Sequence, residues 1–349
     1  MADLPPPTLQ IKVDRAALTA NWRMLDRLSG DAQAGAAIKA DAYGLGVENV
    51  LPSLLEAGAR TFFVAHFSEV PPLLDHVTPE QIAVLHGPAC AEQAAYAVAI
   101  GVIPVINSLH QASLWQAAGG GACHLMVDTG INRLGLPLSE IGDPAIAALD
   151  IDILMSHLAS ADEDVALNAV QLARFRKAAA AIPAKRRSIA NSAGIALGQD
   201  YSFDLTRPGL SLYGGIARDE LAGTIAPVVS LQAQVLQMRN LSPGDGVGYN
   251  TIFTADRQMC TATLSFGYAD GFLRCRGPGT ALVHDGELLP IIGRVSMDLT
   301  VVDASAAKSL REGDFVQIPF DLRQVSAQCG LSQYELLTGL GRRFLRQVL

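Results

Sequence analysis

The feature that most constrains the fold is a regular alternation of short apolar runs with helical patterns through the first two thirds of the chain. Residues 47–57, 91–100 and 165–182 have the apolar spacing of helices that pack on the outside of a parallel sheet. Eight candidate strands lie between such segments, at residues 34–40, 61–67, 81–86, 102–106, 122–128, 151–157, 187–191 and 203–213. The pattern predicts an α/β fold of the (β/α)8 TIM-type barrel class, and a doubly wound parallel sheet is the alternative that periodicity leaves open.

The last third of the chain has a different texture. From about residue 222 the sequence becomes rich in strand-forming segments separated by Gly and Pro turns, at residues 228–236, 259–266, 280–285 and 300–303. The one late helical pattern covers residues 332–346. We therefore expect two domains, a barrel over residues 1–221 and a C-terminal, mostly β domain over residues 222–349.

Composition limits the possible partners. The chain has 349 residues, of which 50% are hydrophobic and 17% are charged, as is typical of a well-buried globular enzyme. Its formal net charge is -8, which removes the electrostatic case for binding nucleic acid or an anionic membrane surface. We expect a small-molecule substrate, no nucleic acid and no membrane.

The cysteines and the N-terminal sequence indicate the compartment. The five cysteines are scattered, without CxxC or Cys/His spacing, so that neither a disulfide framework nor a metal site is predicted. Residues 1–7 have no basic start and no apolar core of a signal peptide, and no run approaches about 18 apolar residues. We expect a soluble, cytoplasmic protein.

Polar residues recur at the ends of the predicted strands. Lys39 ends the first strand, residues 128–135 (DTGINRLG) follow the fifth, His157 ends the sixth, Asn191 ends the seventh and Arg207 lies in the eighth. In a barrel the carboxyl ends of the strands meet at one mouth, so these groups should converge there. A lysine amine in such a place is partly desolvated, which lowers its pKa and suits it to Schiff-base chemistry with a carbonyl cofactor.

Six short segments, taken together, resemble the signature segments of the alanine racemase family. They are KADAYG at 39–44, DTG at 128–130, RLG at 133–135, RPG at 207–209, GYADG at 267–271 and VSMD at 295–298. The resemblance implies a pyridoxal 5'-phosphate-binding barrel with a C-terminal β domain. It also implies interconversion of L-alanine and D-alanine, either to supply D-alanine for cell-wall peptidoglycan or to catabolise alanine.

The resemblance implies a two-base reaction. Lys39 would hold the cofactor covalently and serve one face of the substrate, and Tyr268 would serve the other. Inverting a stereocentre requires proton removal on one side and delivery on the other. A phenol with a pKa near 10 is a poor base at pH 7, so a nearby cation or hydrogen-bond donor must stabilise the phenolate. His157 matches the residue that fills this role in the family.

Arg207 matches the arginine that family members place against the pyridine nitrogen of the cofactor. A guanidinium does not readily give up a proton, so the pyridine should stay unprotonated and the cofactor should be a weaker electron sink. The resemblance further assigns cofactor contacts to Tyr43, Arg133, His157, Asn191, Ser192, Gly209, Leu210 and Tyr334. Substrate contacts are assigned to Arg133, Met297, Asp298 and Tyr249.

The family also implies a dimer. Tyr268, Met297 and Asp298 enter the active site from the partner subunit in family members, so we expect a homodimer with shared active sites.

Two residues depart from the family pattern. Met126 stands where many relatives carry a lysine that becomes carbamylated and braces the arginine matching Arg133. Methionine cannot form a carbamate, so Arg133 must find another anion or be held less firmly. Leu45 replaces a histidine that is common after the Tyr-Gly pair, and a leucine cannot make the hydrogen bond that the histidine would offer near the phosphate-binding turn.

Three other functions remain open at this point. A racemase of serine or another small amino acid is compatible with the same residues. A pyridoxal-phosphate-dependent decarboxylase is disfavoured by Arg207, because such enzymes generally place an acidic residue at the pyridine nitrogen. A non-catalytic pyridoxal-phosphate carrier barrel typically has neither the β domain nor an equivalent of Tyr268.

Overall fold

A computed structural model describes residues 5–349, in which the chain separates into two units. One unit is Ala16–Ala226, and the other is Pro227–Leu349 together with the N-terminal segment that ends at Arg15. Residues 1–4 lie outside the described residues. They belong to the predicted barrel range, 1–221, and to the N-terminal segment that we expect to have no signal peptide. The units also differ from the predicted ranges at the N-terminus, because strand β1 (Leu9–Val13) pairs with strands of the second unit.

Short parallel strands form the wall of the Ala16–Ala226 unit. In chain order they are β2 (Gln33–Ala34), β3 (Ala36–Ala37), β4 (Phe62–Val64), β5 (Ile82–Val84), β6 (Ile103–Ile106), β7 (Ala122–Asp128), β8 (Leu136–Pro137), β9 (Asp150–Met155), β10 (Arg186–Ser188) and β11 (Leu205–Thr206). The sheet order is β10-β9-β7-β6-β5-β4-β3, with β8 paired to the end of β7. Strands β4 and β5 are buried along their whole length, as expected of parallel strands covered on both faces.

Strand β11 closes the barrel. On one side it pairs in parallel with β2, and the Gly35 N–H donates to the Thr206 carbonyl at 2.9 Å. On the other side the Arg207 N–H donates to the carbonyl of Ala190, just beyond β10, at 2.8 Å. The predicted (β/α)8 barrel is confirmed, and the doubly wound sheet is excluded, because an open sheet leaves its two edge strands unpaired.

The helices of this unit are α1 (Arg15–Leu28), α2 (Lys39–Tyr43), α3 (Val47–Ala57), α4 (Ala91–Ile100), α5 (Leu109–Ala117), α6 (Pro144–Ala147), α7 (Ala166–Ala181) and α8 (Ser192–Ala196). Helices α3 and α4 coincide with the predicted ranges, and α7 lies within the third one.

All of the candidate strands of this unit except β7 are shorter than predicted, and the first and the eighth differ in ways that bear on the site. The first, residues 34–40, ends before Lys39, where α2 begins. The eighth, residues 203–213, is a strand only at Leu205–Thr206, and Leu210–Tyr213 forms a 3-10 helix instead. Pro208 has no backbone N–H to donate to a neighbouring strand, which explains why the strand predicted over residues 203–213 ends early.

The second unit is mostly antiparallel sheet. Its strands after β1 are β12 (Val229–Leu241), β13 (Gly246–Val247), β14 (Phe253–Thr254), β15 (Met259–Leu264), β16 (Ala281–His284), β17 (Glu287–Ile292), β18 (Thr300–Asp303), β19 (Phe315–Ile318) and β20 (Leu345–Val348). The sheet order is β15-β18-β17-β16-β19-β12-β1-β20, and β12 also pairs with β15, so that part of the sheet closes on itself. The long strand β12 achieves this with a register shift between Val235 and Gln237.

The predicted late helix over residues 332–346 is only partly correct. Helix α10 (Gln333–Thr338) is followed by Gly339 and Gly341, and the chain then enters β20, which pairs in parallel with β1. Another helix, α9 (Leu322–Cys329), was not predicted, although Asp321 caps it by accepting the Gln324 N–H at 2.8 Å. Within residues 5–349, no helix is long and apolar enough to cross a bilayer.

Candidate active site

Lys39 lies directly beyond the first barrel strand, at the start of an unusual turn. Ala40, Asp41, Ala42 and Tyr43 all have positive φ, between 52° and 56°, so that α2 is a left-handed turn (residues 40–43). Each L-residue in this conformation costs roughly 1–2 kcal/mol, so the turn must be held by its surroundings.

Hydrogen bonds hold both ends of the left-handed turn. The Ala42 N–H donates to the Ile38 carbonyl and the Gly44 N–H to the Ala40 carbonyl, each at 2.9 Å. The Asp41 carboxylate accepts the Val47 N–H at 2.8 Å and so joins the turn to the start of α3. Glycines at 44 and 46, both with positive φ, let the chain leave the turn without further strain.

The surroundings of Lys39 favour its neutral amine. Burial lowers the pKa of the amine below its usual 10.5, and the positive charges of Arg133 and Arg207 act in the same direction. The carboxylate of Glu69 opposes them. The sequence prediction of a desolvated strand-end lysine therefore describes the site well.

Arg207 is buried, with 6% of its surface exposed. One terminal nitrogen of its guanidinium donates to the Ser188 hydroxyl at 2.5 Å and the other to the Ser156 carbonyl at 2.6 Å. Burial lowers the pKa of Arg207 from 12.5 to about 10, so the guanidinium stays charged at neutral pH. It is thus a fixed cation within electrostatic reach of Lys39.

His157 is a neutral imidazole at pH 7. Burial, together with the charges of Arg207, Lys39 and Arg133, lowers its pKa to about 3. Gln171 of α7 holds the backbone here, because its amide donates to the His157 carbonyl at 3.0 Å and accepts the Ala159 N–H at 2.8 Å. Of the two ways in which His157 could stabilise a phenolate, a hydrogen bond remains and a positive charge does not.

Tyr43, Ser192 and Gly209 line a tight polar corner after β11. A Cβ on Gly209 would lie 2.2 Å from the Tyr43 hydroxyl, so only glycine permits this approach. The Ser192 hydroxyl accepts the N–H groups of Gly209 and Ser211 at 2.9 and 3.2 Å. The buried Ser211 hydroxyl has no hydrogen-bond partner among the described residues.

Asn191 and Leu210 flank this corner. The Asn191 side chain caps α8 by accepting the Gly194 N–H at 2.8 Å. Leu210 begins the 3-10 helix that ends at Tyr213, whose ring packs on Tyr43 with 4.8 Å between ring centroids. The Tyr213 hydroxyl donates to the Ala37 carbonyl at 2.8 Å, and thereby ties this corner to the strand that leads to Lys39.

Arg133 lies in the loop between β7 and β8, and its side chain is exposed. Asp128 shapes the start of this loop by accepting the N–H groups of Gly130 and Ile131 at 2.7 and 3.0 Å. Met126 is buried, and its Cγ lies 3.1 Å from the position that a Cβ on Gly135 would take. Met126 therefore fills space beneath the loop and supplies no anion to Arg133.

In the second unit, the turn Tyr268–Asp270 (the Tyr268 turn) is hydrogen-bonded to residues 296–297 (the Met297 segment). The N–H groups of Tyr268 and Ala269 donate to the carbonyls of Ser296 and Met297, both at 3.0 Å. A Cβ on Gly267 would lie 2.3 Å from the Ser296 carbonyl oxygen, so glycine is needed at this contact. The Arg274 guanidinium lies 5.2 Å from the centroid of the Tyr268 ring, a cation–π arrangement.

Arg343 links two acidic residues of the same cluster. It makes a bidentate pair with the buried Asp270, at 2.7 Å for both contacts, and a further contact to Asp298 at 2.7 Å. A bidentate guanidinium pair fixes orientation as well as charge. The residues Tyr268, Met297 and Asp298 are thus held together in one cluster of the second unit.

Tyr249 and Tyr334 are exposed, at 68% and 44% of their surface. Tyr249 follows Gly248. A Cβ on Gly248 would lie 3.9 Å from the backbone nitrogen of Arg294, which stands three residues before Met297. Tyr334 lies in the first turn of α10, and Gly339 at the end of that helix abuts Gly271, which directly follows the Tyr268 turn.

Three residues that hold the backbone around the site were not found from the sequence: Glu69, whose carboxylate accepts the Ala40 N–H, Gln171 and Arg343. Gln171 and Arg343 are separated by 42 residues or more from some of the groups that they hold, so local patterns carried no signal for them. Glu69 had a local signal, since it stands three residues after His66 and completes a capping box there. Within residues 5–349, no group of three or more His, Cys, Asp or Glu side chains is placed to hold a metal ion.

The fold, together with the polar residues that follow the ends of the barrel strands, defines a barrel enzyme with a second, mostly β domain. Residues 13–217 match the family model for the alanine racemase N-terminal domain, and residues 228–348 match the model for the C-terminal domain. The chain belongs to the alanine racemase family.

Individual relatives agree. The chain is 40% identical to a biosynthetic alanine racemase of Agrobacterium fabrum, over 98% of this chain and 94% of the relative. It is 41% identical to a catabolic alanine racemase of Rhizobium johnstonii, over 97% of this chain and 94% of the relative. Identity therefore does not separate the biosynthetic role from the catabolic one.

A solved structure of alanine racemase from Bartonella henselae, with covalently bound pyridoxal phosphate, superimposes with a TM-score of 0.90 at 37% identity. The match covers 99% of this chain and all of the other chain.

The charges around Lys39 predict the effect of an Arg133→Gln substitution. In protein freed of cofactor with hydroxylamine, the wild-type Lys39 amine should titrate below 10.5, because burial and two guanidinium groups disfavour its protonated form. Removing the Arg133 charge should raise that pKa, because a nearby positive charge disfavours the protonated amine. The measurement is the pH dependence of acetylation by acetic anhydride, read by mass spectrometry on the Lys39 peptide.

The matched control is Arg23→Gln, which removes an exposed charge on α1. It should leave the Lys39 titration unchanged. A Lys39 pKa at or above 10.5 in the wild-type protein, or one that falls in Arg133→Gln, would contradict this description of the site.

Proposed function

We propose that the chain is a pyridoxal 5'-phosphate-dependent alanine racemase that interconverts L-alanine and D-alanine with two bases. The observation that carries the proposal is the desolvated Lys39 beyond the first barrel strand, near the fixed cation Arg207, in a chain of the alanine racemase family. When bound, the cofactor supplies the electron sink that makes the α-proton of the amino acid acidic.

The residues present fit this cofactor. The corner formed by Tyr43, Ser192 and Gly209 offers hydroxyls, backbone amides and the space of a missing Cβ, and the buried Ser211 hydroxyl needs a partner. Such groups bind a phosphate dianion well. We assign the phosphate to Tyr43, Ser192, Gly209, Leu210 and Tyr334, with Asn191 shaping the corner as the cap of α8.

Lys39 would act on the carbonyl group of the cofactor, and Arg207 on its ring nitrogen. The low pKa of Lys39 provides a neutral amine at lower pH than an ordinary lysine, as covalent attachment of a carbonyl group requires. The buried guanidinium of Arg207 can donate a hydrogen bond to an unprotonated ring nitrogen, and it keeps its own proton at neutral pH. This feature favours racemisation over decarboxylation.

Lys39 and Tyr268 are the proposed acid/base pair, one for each face of the α-carbon. Neutral His157 is proposed to orient the Tyr268 phenol by a hydrogen bond. Arg133, Met297, Asp298 and Tyr249 are proposed substrate contacts, and serine or another small amino acid is the natural alternative substrate to test beside alanine.

We propose a homodimer in which Tyr268, Met297 and Asp298 complete the partner's site. Met297 and Leu299 expose 53% and 40% of their surface beside the Tyr268 turn, and exposed apolar side chains of this kind favour an interface. A cytoplasmic location is also proposed, supported by the five cysteines, all of which are free thiols in the structure.

Purified protein should show a visible absorption band that borohydride removes, with the reduced cofactor attached to the Lys39 peptide. Lys39→Ala should lose the band and at least about a thousandfold in kcat, because it removes both the attachment point and one base. Polarimetry on L-alanine and D-alanine, with serine and carbon dioxide release assayed in parallel, measures the reaction.

Lys177→Ala, which removes an exposed lysine of α7, is the control and should behave as wild type. Carbon dioxide release without racemisation would replace the proposal with a decarboxylase, and a cofactor band without turnover of any amino acid would indicate a carrier.

Shared active sites can be tested by mixing inactive chains. Lys39→Ala and Tyr268→Phe homodimers should each be nearly inactive, and after subunit exchange up to about a quarter of the wild-type activity should return, because a mixed dimer holds one intact site. A control mixture of Lys39→Ala with Lys39→Arg should stay inactive. No recovery, once labelled subunits are seen to exchange, would contradict the shared site.

A further inference from the structure

Glu69 bridges the left-handed turn and the neighbouring strand. It lies beyond β4, and its Oε1 accepts the Ala40 N–H at 2.5 Å. Its Oε2 accepts the N–H groups of Ala65 and His66, at 2.6 and 3.1 Å. One carboxylate therefore fastens the residue after Lys39 to the carboxyl end of the adjacent strand.

Capping accounts for only one of these three contacts. Glu69 ends the 3-10 helix Phe67–Glu69 and completes a capping box with His66, which explains the contact of Oε2 with the His66 N–H. Oε1 reaches out of that helix to Ala40, the first residue with positive φ. This hydrogen bond is charge-assisted because its acceptor is a carboxylate, and such bonds are stronger than those between neutral groups.

The carboxylate also opposes the positive charge around Lys39. The charged and titratable groups that act on Lys39 or are acted on by it are Glu69, Arg133, Arg207, His86 and His157. Among these, Glu69 is the anion, and it favours the protonated amine.

We propose that Glu69 is a positioning residue for Lys39: it holds the left-handed turn in place and supplies a negative charge that acts on the lysine amine. The proposal rests on the proposed function for its kinetic consequence. Its electrostatic consequence holds for the amine itself, whatever reaction the protein catalyses.

Two substitutions separate the effect of the Glu69 charge from the effect of the length of its side chain. Glu69→Gln keeps the length of the side chain and one acceptor oxygen but removes the charge, and Glu69→Asp keeps the charge but is one methylene shorter. Glu48→Gln, which changes an exposed carboxylate in the first turn of α3, is the matched control.

In Glu69→Gln, the pKa of the Lys39 amine in cofactor-free protein should fall by about half a pH unit, because the favourable charge is gone. The pH at which the visible band of the holoenzyme changes should move the same way, and kcat should fall about tenfold or more with a smaller change in KM, as expected of misplacement. Glu69→Asp should keep the Lys39 pKa closer to wild type and still lose kcat. Glu48→Gln should change none of these values.

A merely structural cap would lower the thermal midpoint of both variants and leave the Lys39 pKa and kcat of the folded protein unchanged. That result would overturn the proposal, as would a rise of the Lys39 pKa in Glu69→Gln. If Glu69→Gln does not fold, a Glu69→Asp variant with wild-type kcat would overturn it equally. Wild-type protein that lacks racemisation and the visible band would remove the proposed function, and the Lys39 titration would still decide the role of Glu69.

Discussion

The candidate site depends on one piece of strained backbone, the left-handed turn (residues 40–43) that follows Lys39. Right-handed helix is the default for L-residues, and a whole left-handed turn without glycine persists only if its neighbours over-determine it. Here the carbonyl of Ile38, the carboxylates of Asp41 and Glu69, and two following glycines do so. The result is a lysine held rigidly at the mouth of the barrel, with Tyr43 in the same turn.

Charge balance is the second theme of the site. Lys39, Arg133 and Arg207 bring positive charge together at one end of the barrel, and the carboxylate that opposes it at Lys39 is that of Glu69. Asp128 uses its carboxylate on its own loop, and Met126 brings no charge. A phosphate dianion and a substrate carboxylate are suited to such a mouth, because buried cations favour anionic ligands. The low pKa values of Lys39 and His157 follow from the same arrangement.

The sequence predicted the elements whose apolar pattern is local. Strand β7 and helices α3 and α4 were found at their observed bounds, because buried parallel strands and amphipathic helices carry their own signals. Features set by distant contacts could not be predicted. The partner of strand β1 is β12, more than two hundred residues away. Of residues 40–43, which all have positive φ, only Asp41 is of a type that adopts this conformation with any frequency. Lys39 could be found by its place at a strand end, whereas the contact from Glu69 to Ala40 exists only in the fold.

The most direct test of the account is the stability of Ala40→Gly beside Ala95→Gly. Both alanines are exposed, and Ala95 lies inside the right-handed helix α4. Glycine should cost about 1 kcal/mol at position 95. At position 40, where φ is 54°, it should leave stability unchanged or raise it by up to about 1 kcal/mol, because the strain of an L-residue is relieved. An equal loss in both variants, measured by denaturant unfolding, would show that the left-handed turn is absent and would contradict the account.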